Sequence, residues 1–190
     1  MLTAEQILDI FRRTGAWQEG HFLLSSGLHS PTYLQCALVL QYPDLARQLG
    51  DELGRLSKNV AATCVVSPAV GGIIIGHEVA RFLGIRDLFC EREQGLMTLR
   101  RGFQVTPHDR ALIIEDIITT GRSTREVIQV VRQHSATVAG VGAIINRGVG
   151  EIELGLPCYC LATVKIPTYP PDQCPLCRDK KIPLRKPGSR

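Results

Sequence analysis

Apolar runs separated by helical stretches constrain this chain more than any other feature. CVVSP ends one run at 64–68, ALIIEDI forms another at 111–117 and AGVGAIIN a third at 139–146. Apolar strands that alternate with helices need right-handed crossovers, and these build a parallel sheet covered on both faces. DLFCE and CYCLATVKI read as further strands of the same sheet. The fold class expected is α/β, a central parallel sheet flanked by helices. With 190 residues, 44% of them apolar, the chain can bury one sizeable core and has little left for a second domain.

Other segments punctuate this pattern. Thr3 and Gln6 have capping-box spacing, and Ile7, Leu8 and Phe11 continue a helical stripe that ends near Gly15. Between Gly20 and Leu40 the residues suggest short strands joined by a turn at Ser26-Gly27, and a second helix follows Tyr42-Pro43 to about Leu56. The stretch from Glu93 to Arg110 has no clear period where a crossover helix belongs, so it reads as a mobile loop. Beyond Pro167 the chain is rich in proline and basic residues, as in an extended surface tail.

The most informative chemistry lies where ALIIEDI runs into Thr119-Thr120-Gly121-Arg122-Ser123-Thr124 and a helix. Ligands of a parallel sheet sit outside the carboxyl ends of its strands, so Glu115 and Asp116 face the crevice and suit the vicinal hydroxyls of a ribose. The turn supplies backbone N–H groups and hydroxyls at a helix N-terminus, which favours phosphate. Ser123 and Glu126 have capping-box spacing, which by itself explains those two residues. Ser67-Pro68-Ala69-Val70-Gly71-Gly72 follows another apolar strand, and its glycines let backbone approach a second anionic group.

These residues resemble the fingerprint of the type I phosphoribosyltransferases. GHFLLSSGLHSPTY, VVSPAVGGIIIGHEVAR, EREQGLMTLRRGF, the acid and Thr stretch, and AIINRG then follow the order of the orotate phosphoribosyltransferases, with CPLC and KPGSR resembling a bacterial branch. The resemblance implies transfer of the phosphoribosyl group of phosphoribosyl pyrophosphate to orotate, giving orotidine 5′-monophosphate and pyrophosphate in pyrimidine biosynthesis. It implies a hood at about 1–40, a mobile loop at about 93–110 and a tail at about 167–190 within one domain. Phosphoribosyl pyrophosphate would be held by Glu115, Asp116, Ile117, Ile118, Thr119, Thr120, Gly121, Arg122 and Ser123, and by Ser67, Gly71 and Gly72. Thr119 and Arg147 would contact orotate, Arg147 because a guanidinium pairs bidentately with a carboxylate. The better-known branch carries lysines where Ser25, Gly71 and the run Glu93 to Arg101 stand here; Arg92 matches the family, and Arg100 and Arg101 are the candidates to replace them. Mg²⁺ is expected to bind mainly through the substrate, and a homodimer is expected by resemblance.

Composition bounds the remainder. A net charge of +4 with scattered basic residues suits a small anion, and no nucleic-acid partner is expected. The absence of a spanning apolar run and of a signal-like start points to a cytoplasmic protein without membrane contact. The seven cysteines read as reduced thiols. Cys158, Cys160, Cys174 and Cys177 invite a zinc reading, but buried packing for the first pair and a tail motif for the second are preferred, so no protein-held metal is expected. Of the histidines, His77 reads as packed or capping, and His29 is the one to test as an acid or base. Transfer to a purine would keep both loops with a different hood, and a catalytically silent, nucleic-acid-binding sensor of phosphoribosyl pyrophosphate is the rival of another class.

Overall fold

The structure, a computed structural model, describes residues 1–148 and 154–187. Gly188 to Arg190, the end of the KPGSR stretch, lie outside the described residues. Helix α1 (Ala4–Arg13) opens with the expected capping box, Thr3 Oγ1 accepting from the Gln6 N–H and Gln6 Oε1 from the Thr3 N–H. It buries Ile7, Ile10 and Phe11. Strands β1 (Trp17–Leu23) and β2 (His29–Leu34) form a separate antiparallel pair. A four-residue helix α2 (Ala37–Leu40), too short to leave a periodic signal, precedes α3 (Pro43–Ser57).

The remaining elements alternate as the apolar runs require: β3 (Cys64–Pro68), α4 (Gly72–Leu83), β4 (Arg86–Glu93), β5 (Leu96–Leu99), β6 (Arg110–Ile118), α5 (Arg122–Gln133), β7 (Thr137–Asn146) and β8 (Cys158–Thr163). They make a six-stranded sheet in the order β5-β4-β3-β6-β7-β8. All neighbours are parallel except β4 and β5. Side chains alternate between the two faces. Val65, Leu112 and Ile114 join the core beneath α1, α3 and α4, while Cys64, Val66, Ala111 and Ile113 join the core beneath α5.

Strand β5 occupies part of the segment expected as a loop. Gln94 and Gly95 both take positive φ, 50° and 86°, and fold β4 back on itself as a tight hairpin. The rest of the segment, 100–109, has no strand or helix.

The tail is laced onto the β1-β2 pair rather than lying loosely on the surface. The Leu23 N–H donates to the Arg185 carbonyl at 2.7 Å, and the Arg185 N–H donates to that of His21 at 2.8 Å. His29 and Tyr169 exchange backbone bonds of 2.8 and 2.9 Å. A two-stranded ribbon is marginal in water by itself, so these bonds along both strands add to the packing of Trp17 and Leu34 on the core in holding it. The tail also carries a short helix, α6 (Pro175–Asp179). Among the described residues, no helix is long and apolar enough to cross a membrane.

Candidate active site

Strand order places the site. From β3 the chain passes through α4 to β4 on one side, and from β6 through α5 to β7 on the other, so adjacent strands β3 and β6 diverge at their carboxyl ends. Such a switch point opens a crevice. A cleft of about 540 Å³ lies there, lined by Glu115 and residues 117–124, by Arg92 and Gly95, and by Ser25 from the β1-β2 turn.

The two acids end the β6 run as expected, and burial dominates their chemistry. Burial, reinforced by the charge of Asp116, pushes Glu115 well above the usual carboxylate range. Burial also raises Asp116, although its Oδ1 accepts the Ile117 N–H at 2.8 Å. Both groups are therefore poised to gain from hydroxyl donors or a cation.

Beyond them Gly121, at φ 70°, turns the chain into α5, which begins at Arg122. The capping box expected from Ser123 and Glu126 does not form: Gly121 is the cap residue and no side chain caps the helix. The first N–H groups of α5 thus have no side-chain cap, and Gly121, Arg122 and Ser123 at this helix start line the cleft, an arrangement that suits an anion. Glu126 instead binds Arg92 and Arg122, the latter at 3.1 Å, and holds both cations at the rim.

The second loop leaves β3 beside β6. A methyl at Gly71 would stand 2.5 Å from Asp116 Oδ2, and one at Gly72 would stand 2.9 Å from the Ile114 carbonyl oxygen. Backbone of this loop therefore lies directly against the end of β6, beside Asp116. Ser67, predicted to bind ligand, is fully buried, and a methyl at Gly76 of α4 would be 2.1 Å from its hydroxyl oxygen. That hydroxyl faces α4 across the β3 packing and has no hydrogen-bond partner among the described residues.

The structure brings Glu115, Thr119, Thr120, Gly121, Arg122 and Ser123 together with Arg92. Arg100 and Arg101 are not among the lining residues. Arg100 pairs with Glu93 at 3.2 Å, and Arg101 forms a two-pronged pair with Glu91 at 2.7 and 2.9 Å, its guanidinium 5.9 Å from the Phe89 ring centre.

Arg147 is buried just beyond β7, its N–H donating to the Ile118 carbonyl at 2.7 Å, one strand across from Thr119. Its Nη2 donates to Ser30 Oγ at 2.7 Å and to the Thr32 carbonyl at 3.2 Å, both on β2. Among the described residues no carboxylate pairs with it, and burial lowers its pKa. A desolvated guanidinium with unused donors suits an anionic ligand.

Two residues of this site were not legible beforehand. Ser30 gave no signal, since a Ser before Pro in a strand-like stretch is commonplace, and the helix-cap reading concealed the pairing of Glu126 with Arg92. His77 proves exposed, with Nδ1 3.8 Å from Asp87 Oδ2, rather than packed. His29 is buried against His21 and Cys177 and is not among the residues lining the cleft.

No family model matches the chain. The orotate phosphoribosyltransferase of Pelotomaculum thermopropionicum is 49% identical to it over 189 residues, covering 100% of this chain and 99% of that protein. The enzyme of the same name from Thermotoga maritima is 46% identical over 184 residues, covering 97% and 98%. Among solved structures, an orotate phosphoribosyltransferase from Aeropyrum pernix matches with a TM-score of 0.71 at 24% identity, over 83% of this chain and 93% of that one. An adenine phosphoribosyltransferase from Thermoanaerobacter pseudethanolicus matches with a TM-score of 0.60 at 15% identity, over 70% and 88%. At these identities the structural matches establish the fold.

Proposed function

The chain belongs to the orotate phosphoribosyltransferase family, and we propose that it transfers the phosphoribosyl group of phosphoribosyl pyrophosphate to orotate, giving orotidine 5′-monophosphate and pyrophosphate in pyrimidine biosynthesis. A ring nitrogen of orotate bonds to C1′, the C1′–O bond to pyrophosphate breaks with its electron pair going to the leaving group, and the ring nitrogen gives up its proton. The sugar carbon gains cationic character on the way, so positioning, exclusion of water and stabilisation of the leaving group suffice without a protein nucleophile.

The placement of the residues supports the following roles. The Thr119 to Ser123 turn and the start of α5 hold the 5′-phosphate, Glu115 and Asp116 accept from the ribose hydroxyls, and backbone of the Ala69 to Gly72 loop holds the pyrophosphate. Arg92, fixed by Glu126, supplies positive charge at the rim. Mg²⁺ fits a substrate-borne position, because the cleft lining offers one elevated carboxylate, Glu115, with Asp116 next to it in the chain, and, among the described residues, no carboxylate cluster to cage the ion. When bound it would neutralise charge developing on the pyrophosphate.

The observation that carries the choice of orotate is Arg147, a buried guanidinium with unused donors beside Thr119 and under the hood strand β2. It suits the carboxylate that orotate has and the purine bases lack. We extend the reading to a homodimer in which residues 93–110 of one copy close over the cleft of the other. In support, Arg100 and Arg101 are tied to Glu93 and Glu91, apart from the lining of their own cleft. A cytoplasmic setting accords with seven cysteines that form no disulfide. Steady-state assays with phosphoribosyl pyrophosphate, Mg²⁺ and, in turn, orotate, adenine, hypoxanthine, guanine and xanthine should give turnover with orotate. Turnover confined to a purine would overturn the assignment.

A further inference from the structure

Away from the cleft, four side chains from three places in the chain converge. His21 lies on β1, His29 on β2, and in the tail Cys174 caps α6 while Cys177 lies in its first turn. One nitrogen or sulfur from each falls within 4.8 Å of all the others. His21 Nε2 is 3.0 Å from His29 Nδ1, 3.5 Å from Cys174 Sγ and 3.7 Å from Cys177 Sγ, while Cys177 Sγ is 3.2 Å from His29 Nδ1. Bond lengths of about 2.3 Å for Zn–S and about 2.0–2.1 Å for Zn–N give tetrahedron edges of about 3.3–3.8 Å. The four separations lie close to those edges.

Proton placement supports a shared ion. His21 Nδ1 is 3.3 Å from the Ile182 carbonyl, which can only accept, so Nδ1 carries the proton and Nε2 turns its lone pair toward the cluster. A single lone pair then faces three neighbours, and as plain hydrogen bonds most of them go unmet. Cys174 is 0% exposed, His21 3% and His29 4%, so water does not make up the deficit. A dication with two thiolates and two neutral imidazoles is electrically neutral and satisfies every ligand atom. A Cys174–Cys177 disulfide instead leaves both imidazoles facing oxidised sulfur.

We propose that His21, His29, Cys174 and Cys177 bind a structural zinc ion that fastens the tail to the hood. Four protein ligands of N₂S₂ type close the coordination sphere, so the ion holds shape and performs no chemistry. Spacing alone had grouped these two cysteines with Cys158 and Cys160. The fold separates the pairs, leaving Cys158 and Cys160 together on β8 with sulfurs 3.8 Å apart. The ion also bears on the site, because Ser30, the next residue after His29, accepts from Arg147.

Native mass spectrometry and elemental analysis of the purified full chain test this. The wild type should hold about one zinc per chain, Cys177→Ser and His29→Ala should retain almost none, and Cys158→Ser and Cys160→Ser should keep it. Should the ligand variants fail to fold, wild type stripped with a chelator and titrated with Co²⁺ decides. Saturation at about one equivalent, with thiolate charge transfer and the visible bands of tetrahedral cobalt, supports the site. A wild type that carries no zinc and takes up neither ion, or a metal lost with Cys158 rather than Cys177, overturns it.

Discussion

Gly71 lies so close to Asp116 that a methyl on it would meet Oδ2 at 2.5 Å and Cγ at 2.8 Å. Its φ of −60° suits any residue, so the glycine answers to a neighbouring carboxylate and not to backbone conformation. Asp116 has little room to yield, since its Oδ1 is held by the Ile117 N–H.

Gly71→Ala should therefore displace either the loop or the acid. Overpacking of this kind costs about 1–3 kcal/mol. The KM for phosphoribosyl pyrophosphate should rise by about tenfold, equivalent to ~1.4 kcal/mol, with a smaller effect on orotate. A lysine at the same position, as in the better-known branch, meets the same obstruction and should not improve binding. Steady-state kinetics check both, and an unchanged KM in Gly71→Ala refutes the contact.

Asp116→Asn should weaken phosphoribosyl pyrophosphate by about 1.5–3 kcal/mol, the range for hydrogen bonds to a charged group, while leaving the fold intact. The pH dependence has a definite sign. Glu115 and Asp116 are raised in the free protein, and ribose hydroxyls and a cation favour their ionised forms, so binding releases protons. Affinity should then increase with pH through a region above the ordinary carboxylate range. Titration calorimetry in buffers of different ionisation enthalpy measures the protons released; net uptake contradicts the assignment.

The elements around these residues were legible wherever the pattern was local. ALIIEDI, CVVSP and AGVGAIIN became strands because apolar runs of that length have few alternatives inside a sheet covered on both faces. The Thr3–Gln6 capping box formed, whereas Ser123–Glu126, with the same spacing, did not. Gly121 turns the chain at α5, and Arg92, 34 residues before Glu126, claims its carboxylate. Local spacing cannot register a partner that far away. The same blindness explains β5, whose four residues lack alternation, and the meeting of His21 with Cys174, which are 153 positions apart.

Arg147→Ala should damage orotate use far more than phosphoribosyl pyrophosphate binding. Losing one member of a buried charge pair costs about 2–5 kcal/mol, so kcat/KM for orotate should fall by roughly 1.5 to 3.5 orders of magnitude. The KM for phosphoribosyl pyrophosphate should move only a few-fold. Ser30→Ala should give a milder loss in the same direction, because it removes one orienting acceptor and leaves the charge. Equal damage to both substrates would show Arg147 to be structural.

Asp87, on β4 behind the second loop, makes a prediction about stability rather than turnover. Its Oδ1 is buried with no hydrogen-bond partner among the described residues, and burial raises its pKa from 3.8 to about 6, with His77 opposing. Between those values the folded chain keeps a proton that the unfolded chain has released. Stability therefore falls as pH rises across that window, and the loss is complete above it. Two pKa units correspond to about 2.7 kcal/mol, and allowing for solvent screening leaves about 1 kcal/mol. Asp87→Asn should then be more stable than wild type by about 1 kcal/mol at neutral pH, and the advantage should vanish near about pH 4. Urea denaturation midpoints at both pH values measure this, and an advantage that does not change with pH would assign the effect to packing instead of ionisation.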